Sequence, residues 1–160
     1  MSGVAAGDRT PTLYEWAGEQ EAIGRLINTF YDRVEADELL SPFFPGGVST
    51  EHRDGVVAWW SEVLGGPDRY TRERGGYEHM LAKHRGLEIT DEQRLRFATL
   101  MSLAADDAEL PSDPEFRSAL IAYLEWGTRL AMHNSRSGAD VVEHAPVPRW
   151  GWGEAPPFES

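Results

Sequence analysis

The chain contains no cysteine, which excludes disulfides, thiolate metal sites and cysteine nucleophiles together. It has no apolar run approaching the roughly 20 residues needed to span a bilayer. Its opening residues, MSGVAAGDRTPT, hold one arginine and no apolar stretch, so they do not form a signal peptide, and a cytoplasmic protein is expected. Positive charge is scarce: 15 Lys and Arg stand against 27 Asp and Glu, a net charge of −12. Nucleic-acid binding, which needs clustered cations, is therefore not expected, nor is docking on an anionic membrane. The acidic surface serves solubility and would suit a redox partner with a basic face. HExxH, paired Glu-x-x-His, DxDxDG and G-x-S-x-G motifs are all missing, which removes the common routes to a helix-bound metal and to a strand-borne serine nucleophile.

What the chain does have is helical periodicity. Its 160 residues suit one domain. Residues 1–12 read as a disordered lead-in, 13–134 as a helical domain and 135–160 as a tail rich in proline, glycine and tryptophan. Ile23, Leu26, Ile27, Phe30, Tyr31 and Val34 fall on one helical face, and Gly24 there is expected to admit a neighbouring helix. ADELLSPFFPGG ends that helix and puts Phe43 and Phe44 in a corner. Ser49 or Thr50 caps the next helix, whose apolar positions are Val56, Trp59, Trp60, Val63 and Leu64. GGPDRYTRERGG, bracketed by glycine pairs, reads as a loop. Thr90 and Gln93 form a capping box for a helix to about Asp107, and Asp113 with Pro114 starts the last helix. Trp150 and Trp152 are expected to lie on the domain. No strand pair is visible, so the fold class is all-α: two long antiparallel helices at the end, two earlier ones and a short connecting helix.

That short helix, YEHMLAKHRGLEIT, holds two of the five histidines. His79 and His84 are five residues apart, about 140° around a helix, so they cannot share a face or an ion. His84 sits between Lys83 and Arg85. A histidine beside an apolar face is more often packed or solvated than a ligand, and His79, His133 and His144 are expected in solvent. His84, however, follows a Gly-Gly hinge, while His52 lies on a helix rich in Val and Trp, and Tyr31, Phe43 and Phe44 supply aromatic walls. A flat apolar macrocycle needs such a slot: one imidazole from the side, aromatic faces and a few polar groups.

Six segments, in this order and spacing, carry a family resemblance: FYDRV at 30–34, FFP at 43–45, GGPDRYT at 65–71, RGG at 74–76, HMLAKH at 79–84 and YLEWG at 123–127. Over residues 13–134 the chain resembles the truncated haemoglobins of the second group. The resemblance implies a truncated globin fold, a two-over-two antiparallel helix sandwich with a short proximal helix, binding haem b (iron protoporphyrin IX). It makes His84 the iron ligand, Tyr31 the donor to iron-bound ligand and Phe44 the corner aromatic on the haem face. His52 takes the distal position, where it would donate to ligand, gate the pocket or coordinate iron, and Val56 lies one turn further. Trp60, Met80 and Phe97 join the pocket, and Lys83 or Arg85 pairs with a haem carboxylate. The implied function is reversible binding of O2, CO and NO at iron(II) for oxygen or NO handling, in a monomer or homodimer served by a reductase. The alternatives are an NO dioxygenase or peroxidase and, from another class, a haem-free helical interaction domain. Two positions depart from the family pattern. Phe97 stands where a tryptophan is usual, thirteen residues after the proximal histidine, and cannot donate a hydrogen bond. Gly18-Glu19 replaces the first Gly-Gly pair.

Overall fold

The computed structural model describes residues 9–154; residues 1–8 of the expected lead-in and 155–160 of the tail lie outside the described residues. Seven α-helices are described: α1 (Leu13–Ala17), α2 (Glu19–Glu35), α3 (Thr50–Val63), α4 (Arg69–Arg74), α5 (Gly76–His84), α6 (Asp91–Asp107) and α7 (Pro114–Asn134). A 3-10 turn at Ser41–Phe43 makes the corner after α2. No strand occurs among the described residues. Helix α2 packs on α3 and on α6, and α6 packs on α7, so two helix pairs lie one over the other. Their shared core includes Ile23, Leu26, Phe30, Met101 and Leu120, all essentially inaccessible to water.

The helix starts follow local chemistry. Thr12 caps α1 and Thr90 caps α6, each in a reciprocal capping box, with Glu15 and Gln93 returning the hydrogen bond. Ser49 caps α3 by accepting from the His52 N–H (3.1 Å). Asp113 caps α7, with Pro114 at the first turn.

Two local expectations change, and one departure from the family pattern is explained. Residues 69–74 are helical rather than loop: Asp68–Arg72 (2.6 Å) and Arg69–Glu73 (3.0 Å) pair one turn apart, and buried Tyr70 anchors the segment before Gly75 ends it. The flanking glycines bound a helix here instead of preventing one. Gly24 admits no helix: a side chain added there would meet open space, and the Asn28 amide donates to its carbonyl (2.9 Å). Glu19, at φ 63°, occupies the left-handed conformation directly after Gly18 at φ 113°. The α1–α2 joint thus keeps its shape with one glycine, at some conformational cost to Glu19.

The tail binds back on the helices. The Trp150 N–H donates to the Val63 carbonyl (2.7 Å), Val147 is buried, and the Trp152 indole donates to the Pro11 carbonyl (2.8 Å) while its ring meets Trp16 and Phe116 edge-on. Trp152→Ala removes one hydrogen bond and two aromatic contacts. The expected loss is about 2 kcal/mol, less than for a fully buried tryptophan. Thermal denaturation of the two proteins measures it, and an unchanged midpoint means that Trp152 adds nothing to stability.

Candidate functional site

A cavity of about 480 Å³ opens between α2, α3, α5, α6 and α7. Its wall is mostly apolar and aromatic, and few polar groups reach it: Tyr31, His52, Lys83, His84, Gln93 and Arg94 are among them. That is the usual make-up of a pocket for a largely apolar small molecule.

One imidazole enters from α5. Gly75 and Gly76, at φ 93° and 66°, form a sharp joint with α4 that residues bearing a Cβ would strain. Nine residues later His84 ends the helix, and its Nδ1 lies 2.9 Å from the Met80 carbonyl oxygen. A carbonyl only accepts, so Nδ1 carries the proton and Nε2 keeps its lone pair. Burial depresses the His84 pKa, with the Lys83 charge adding to the effect and the Met80 carbonyl opposing it. The ring is thus a neutral nitrogen donor at the cavity wall. His79, five residues earlier, is exposed, as the helical angle requires. His133 and His144 are exposed too, bonded to the Asp140 carbonyl and to Glu78 respectively.

Two polar groups enter from α2 and α3. The Tyr31 hydroxyl and His52 Nε2 are 3.1 Å apart, and Phe44 from the corner packs edge-on against both rings at 5.6 and 5.1 Å. Burial holds the Tyr31 phenol well above its usual value despite the Arg53 charge, so it stays protonated and able to donate. Burial pushes His52 down to about 4, helped by the charges of Lys83 and Arg53, so at neutral pH it is an uncharged imidazole. Arg53 fixes this corner. It donates to the carbonyls of Val48 (3.2 Å) and Asn28 (3.1 Å), pairs with Asp32 (2.9 Å) and Glu35 (3.3 Å), and lies 5.9 Å from the Tyr31 ring centroid. The start of α3 is tied to α2 by one guanidinium beside the two polar groups.

All the remaining sequence candidates but one line the same cavity: Val56, Trp60, Met80, Lys83 and Phe97 do, whereas Arg85 pairs with Glu143 (3.3 Å) outside it. Phe97 packs edge-on against Phe30 (4.7 Å) and offers the cavity no donor. Sequence reasoning missed Tyr70, Tyr77 and Arg94, which also line it. Arg94 is buried and bonds to Thr128 (3.2 Å) and Glu125 (3.4 Å), while its Nε has no partner. The available signal for Arg94 was a cation in the second turn of α6, on the same face as Phe97. A neutral imidazole with a free lone pair, aromatic walls and two protonated or neutral polar groups fit a haem. Among the described residues no cluster of three His, Cys, Asp or Glu could hold a bare ion instead, and no helix is long and apolar enough to cross a membrane.

Comparison with known proteins agrees with this geometry. The family model described as bacterial-like globin matches residues 12–129. The group 2 truncated haemoglobin YjbI of Bacillus subtilis is 35% identical over 116 residues, 72% of this chain and 84% of that protein. Among solved structures, the group II truncated haemoglobin of Bacillus anthracis superposes with a TM-score of 0.71 at 29% identity, covering 81% of this chain and 98% of that one. The truncated oxygen-avid haemoglobin of Bacillus subtilis does so with 0.68 at 32% identity, over 79% and 100%. The chain belongs to the bacterial-like globins and, within them, to the truncated haemoglobins of the second group, with their two-over-two helical fold.

Proposed function

We propose that the cavity binds haem b through His84 Nε2 and that the protein reversibly binds O2, CO and NO, with Tyr31 and His52 holding the bound gas. The observation that carries this reading is the Nδ1–Met80 hydrogen bond, which leaves the other His84 nitrogen unprotonated at the wall of an apolar cavity. Such a bond also orients the ring and raises its basicity as a ligand. Ferrous haem with one axial histidine supplies an open position for a diatomic gas. The chain's residues do the rest. Val56, Trp60, Met80 and Phe97 exclude water, and Phe44 holds Tyr31 and His52 in register. Lys83, an exposed cation at the cavity edge, would pair with a haem carboxylate, whereas Arg85 is engaged by Glu143.

Bound dioxygen carries partial negative charge, so donors retain it. A hydrogen bond to a charged partner contributes about 1.5–3 kcal/mol. With Phe97 unable to donate, that task falls to Tyr31 and His52. Turnover of bound O2 with NO, or use of peroxide, draws on the same cofactor and the same donors. A location in the cytoplasm and a separate reductase complete the reading.

Three outcomes test it. Wild-type protein reconstituted with hemin should show a Soret band and a ferrous-CO spectrum typical of an axial histidine. His84→Ala should lose the axial-histidine signature, and a wild type that takes up no hemin removes the proposal. Tyr31→Phe and His52→Ala should each speed O2 escape by about ten- to a hundredfold. Stopped-flow dissociation measures this, and unchanged rates in both variants exclude a retaining role. Third, because the His52 pKa is lowered to about 4, it gains a proton only as pH falls towards that value. The O2 dissociation rate should therefore be level from neutral pH down to about 5.5, where an unperturbed histidine near 6.5 would already be charged. A step in the rate centred near 6.5 contradicts the assignment.

A further inference from the structure

From the wall of the cavity a set of aromatic side chains in mutual contact runs to the surface. Trp59 and Trp60 are buried and line the cavity, and Tyr123 and Trp126 border it too, whereas Trp150 does not. The Trp60 ring lies 5.0 Å from Tyr123, and the Trp59 indole N–H donates to the Tyr123 hydroxyl at 2.9 Å. Tyr123 in turn lies 5.5 Å from Trp150 and 6.2 Å from Trp126, and those two indoles are 5.6 Å apart. Trp126 is 41% exposed, and Trp150, half-buried, belongs to the tail beyond matched residues 12–129. Cavity and solvent are therefore joined by rings at contact distance, with no aliphatic gap.

We infer that Trp126 and Trp150 form a surface site where bulky phenols or aromatic amines are oxidised one electron at a time, through Tyr123 and Trp59–Trp60, by a hydroperoxide reduced in the cavity. The inference rests on the haem reading above.

Tryptophan and tyrosine are the side chains that most readily give up one electron, and rings in contact pass it quickly. Where the electron deficit settles depends on the proton. An oxidised phenol is strongly acidic and persists only after losing its proton; an oxidised indole is a weaker acid and is stabilised when water takes its proton. Among the described residues the Tyr123 hydroxyl accepts from Trp59 but has no carboxylate or imidazole to donate to. It therefore serves as a bridge and not as a resting place. At exposed Trp126, water takes the proton, so the deficit ends at the surface. In balance, the O–O bond of ROOH breaks to give ROH and water. The two electrons and two protons come from two reductant molecules AH, each of which leaves as A•. Reductants too large for the cavity are thereby served without entering it.

The test uses ferric, hemin-loaded protein, its Soret band first confirmed, so that failure to bind haem is seen separately. Hydrogen peroxide is added with a nitroso spin trap, and adducts are located by peptide mass spectrometry. Adducts should fall on Trp126 or Trp150. They should not fall on Trp16 and Trp152, an aromatic pair outside this set of contacts. The double variant Trp126→Phe/Trp150→Phe, its Soret band first confirmed because Trp126 also borders the cavity, should lose those adducts, and its rate for a bulky phenol should fall relative to its rate for a small reductant that enters the cavity. Equal labelling of Trp16 and Trp152, absence of adducts from both Trp126 and Trp150, or bulky-phenol oxidation unchanged in the double variant overturns the inference.

Discussion

The hydrogen bond from His84 Nδ1 to the Met80 carbonyl decides what this cavity can do. Without it the imidazole could take either tautomer and turn about its Cβ–Cγ bond. With it, one nitrogen is committed as donor and the other keeps a lone pair in a fixed direction. The bond spans one helical turn, so it exists only while α5 stays helical to its last residue. The helix end is completed by the Arg85 N–H, which donates to the Leu81 carbonyl (3.2 Å). The partner that orients the imidazole is thus the backbone of its own helix, and no second side chain is needed.

The polar groups of α2 and α3 follow a different logic. Their geometry depends on two helices meeting correctly, and the start of α3 is the place where a small shift would separate Tyr31 from His52. Two devices oppose that shift. Ser49 holds the first turn of α3 through the His52 backbone itself, and Arg53 binds carbonyls and carboxylates on both sides of the joint. Arg53 is largely shielded from water, which strengthens its ion pairs relative to exposed ones, although Asp32 itself is open to solvent. The same cation also disfavours protonation of His52, after the larger effects of burial and of the Lys83 charge. Positioning and charge state are thus linked through a single residue that does not itself line the cavity.

The parts of this arrangement legible in the sequence were those written in local chemistry. Thr90 with Gln93 and Asp113 with Pro114 marked helix starts because a cap needs only its own neighbours. The face of α2 was legible because six apolar residues repeat at helical spacing. The 69–74 helix was not, because its stabilising pairs involve charged residues and its one buried anchor, Tyr70, has no periodic companion. Gly24 misled because a glycine permits a close approach without requiring one. Among site residues, His84 and Tyr31 stood out through their contrast with apolar neighbours and their place in the family pattern. Arg94 did not, since in a chain with many charges a cation at the start of a helix looks solvated. Its burial comes from Thr128 and Glu125, more than thirty residues away. The Arg85–Glu143 pair was hidden for the same reason: Glu143 lies in the tail, whose path no periodicity reveals.

The brevity of α5 is the remaining constraint, and it follows from the first. A longer helix would pack by its own apolar stripe and would set the imidazole angle as a by-product of core packing. Nine residues bury only Gly76 and Leu81 within the helix, too little apolar surface to fix it. Its position is imposed from outside instead, by the left-handed glycines at its start and by α7 along its side. Tyr77 meets the Asn134 amide at 3.3 Å, and beyond the helix the Glu88 N–H donates to the Ser135 carbonyl at 3.0 Å. The C-terminal end of α7 thereby holds both ends of the segment that carries His84. Since α7 also supplies Tyr123, Trp126 and Thr128 to the cavity wall, one helix sets the depth of the imidazole and the shape of the space it faces. A change in the seating of α7 would reach both at once.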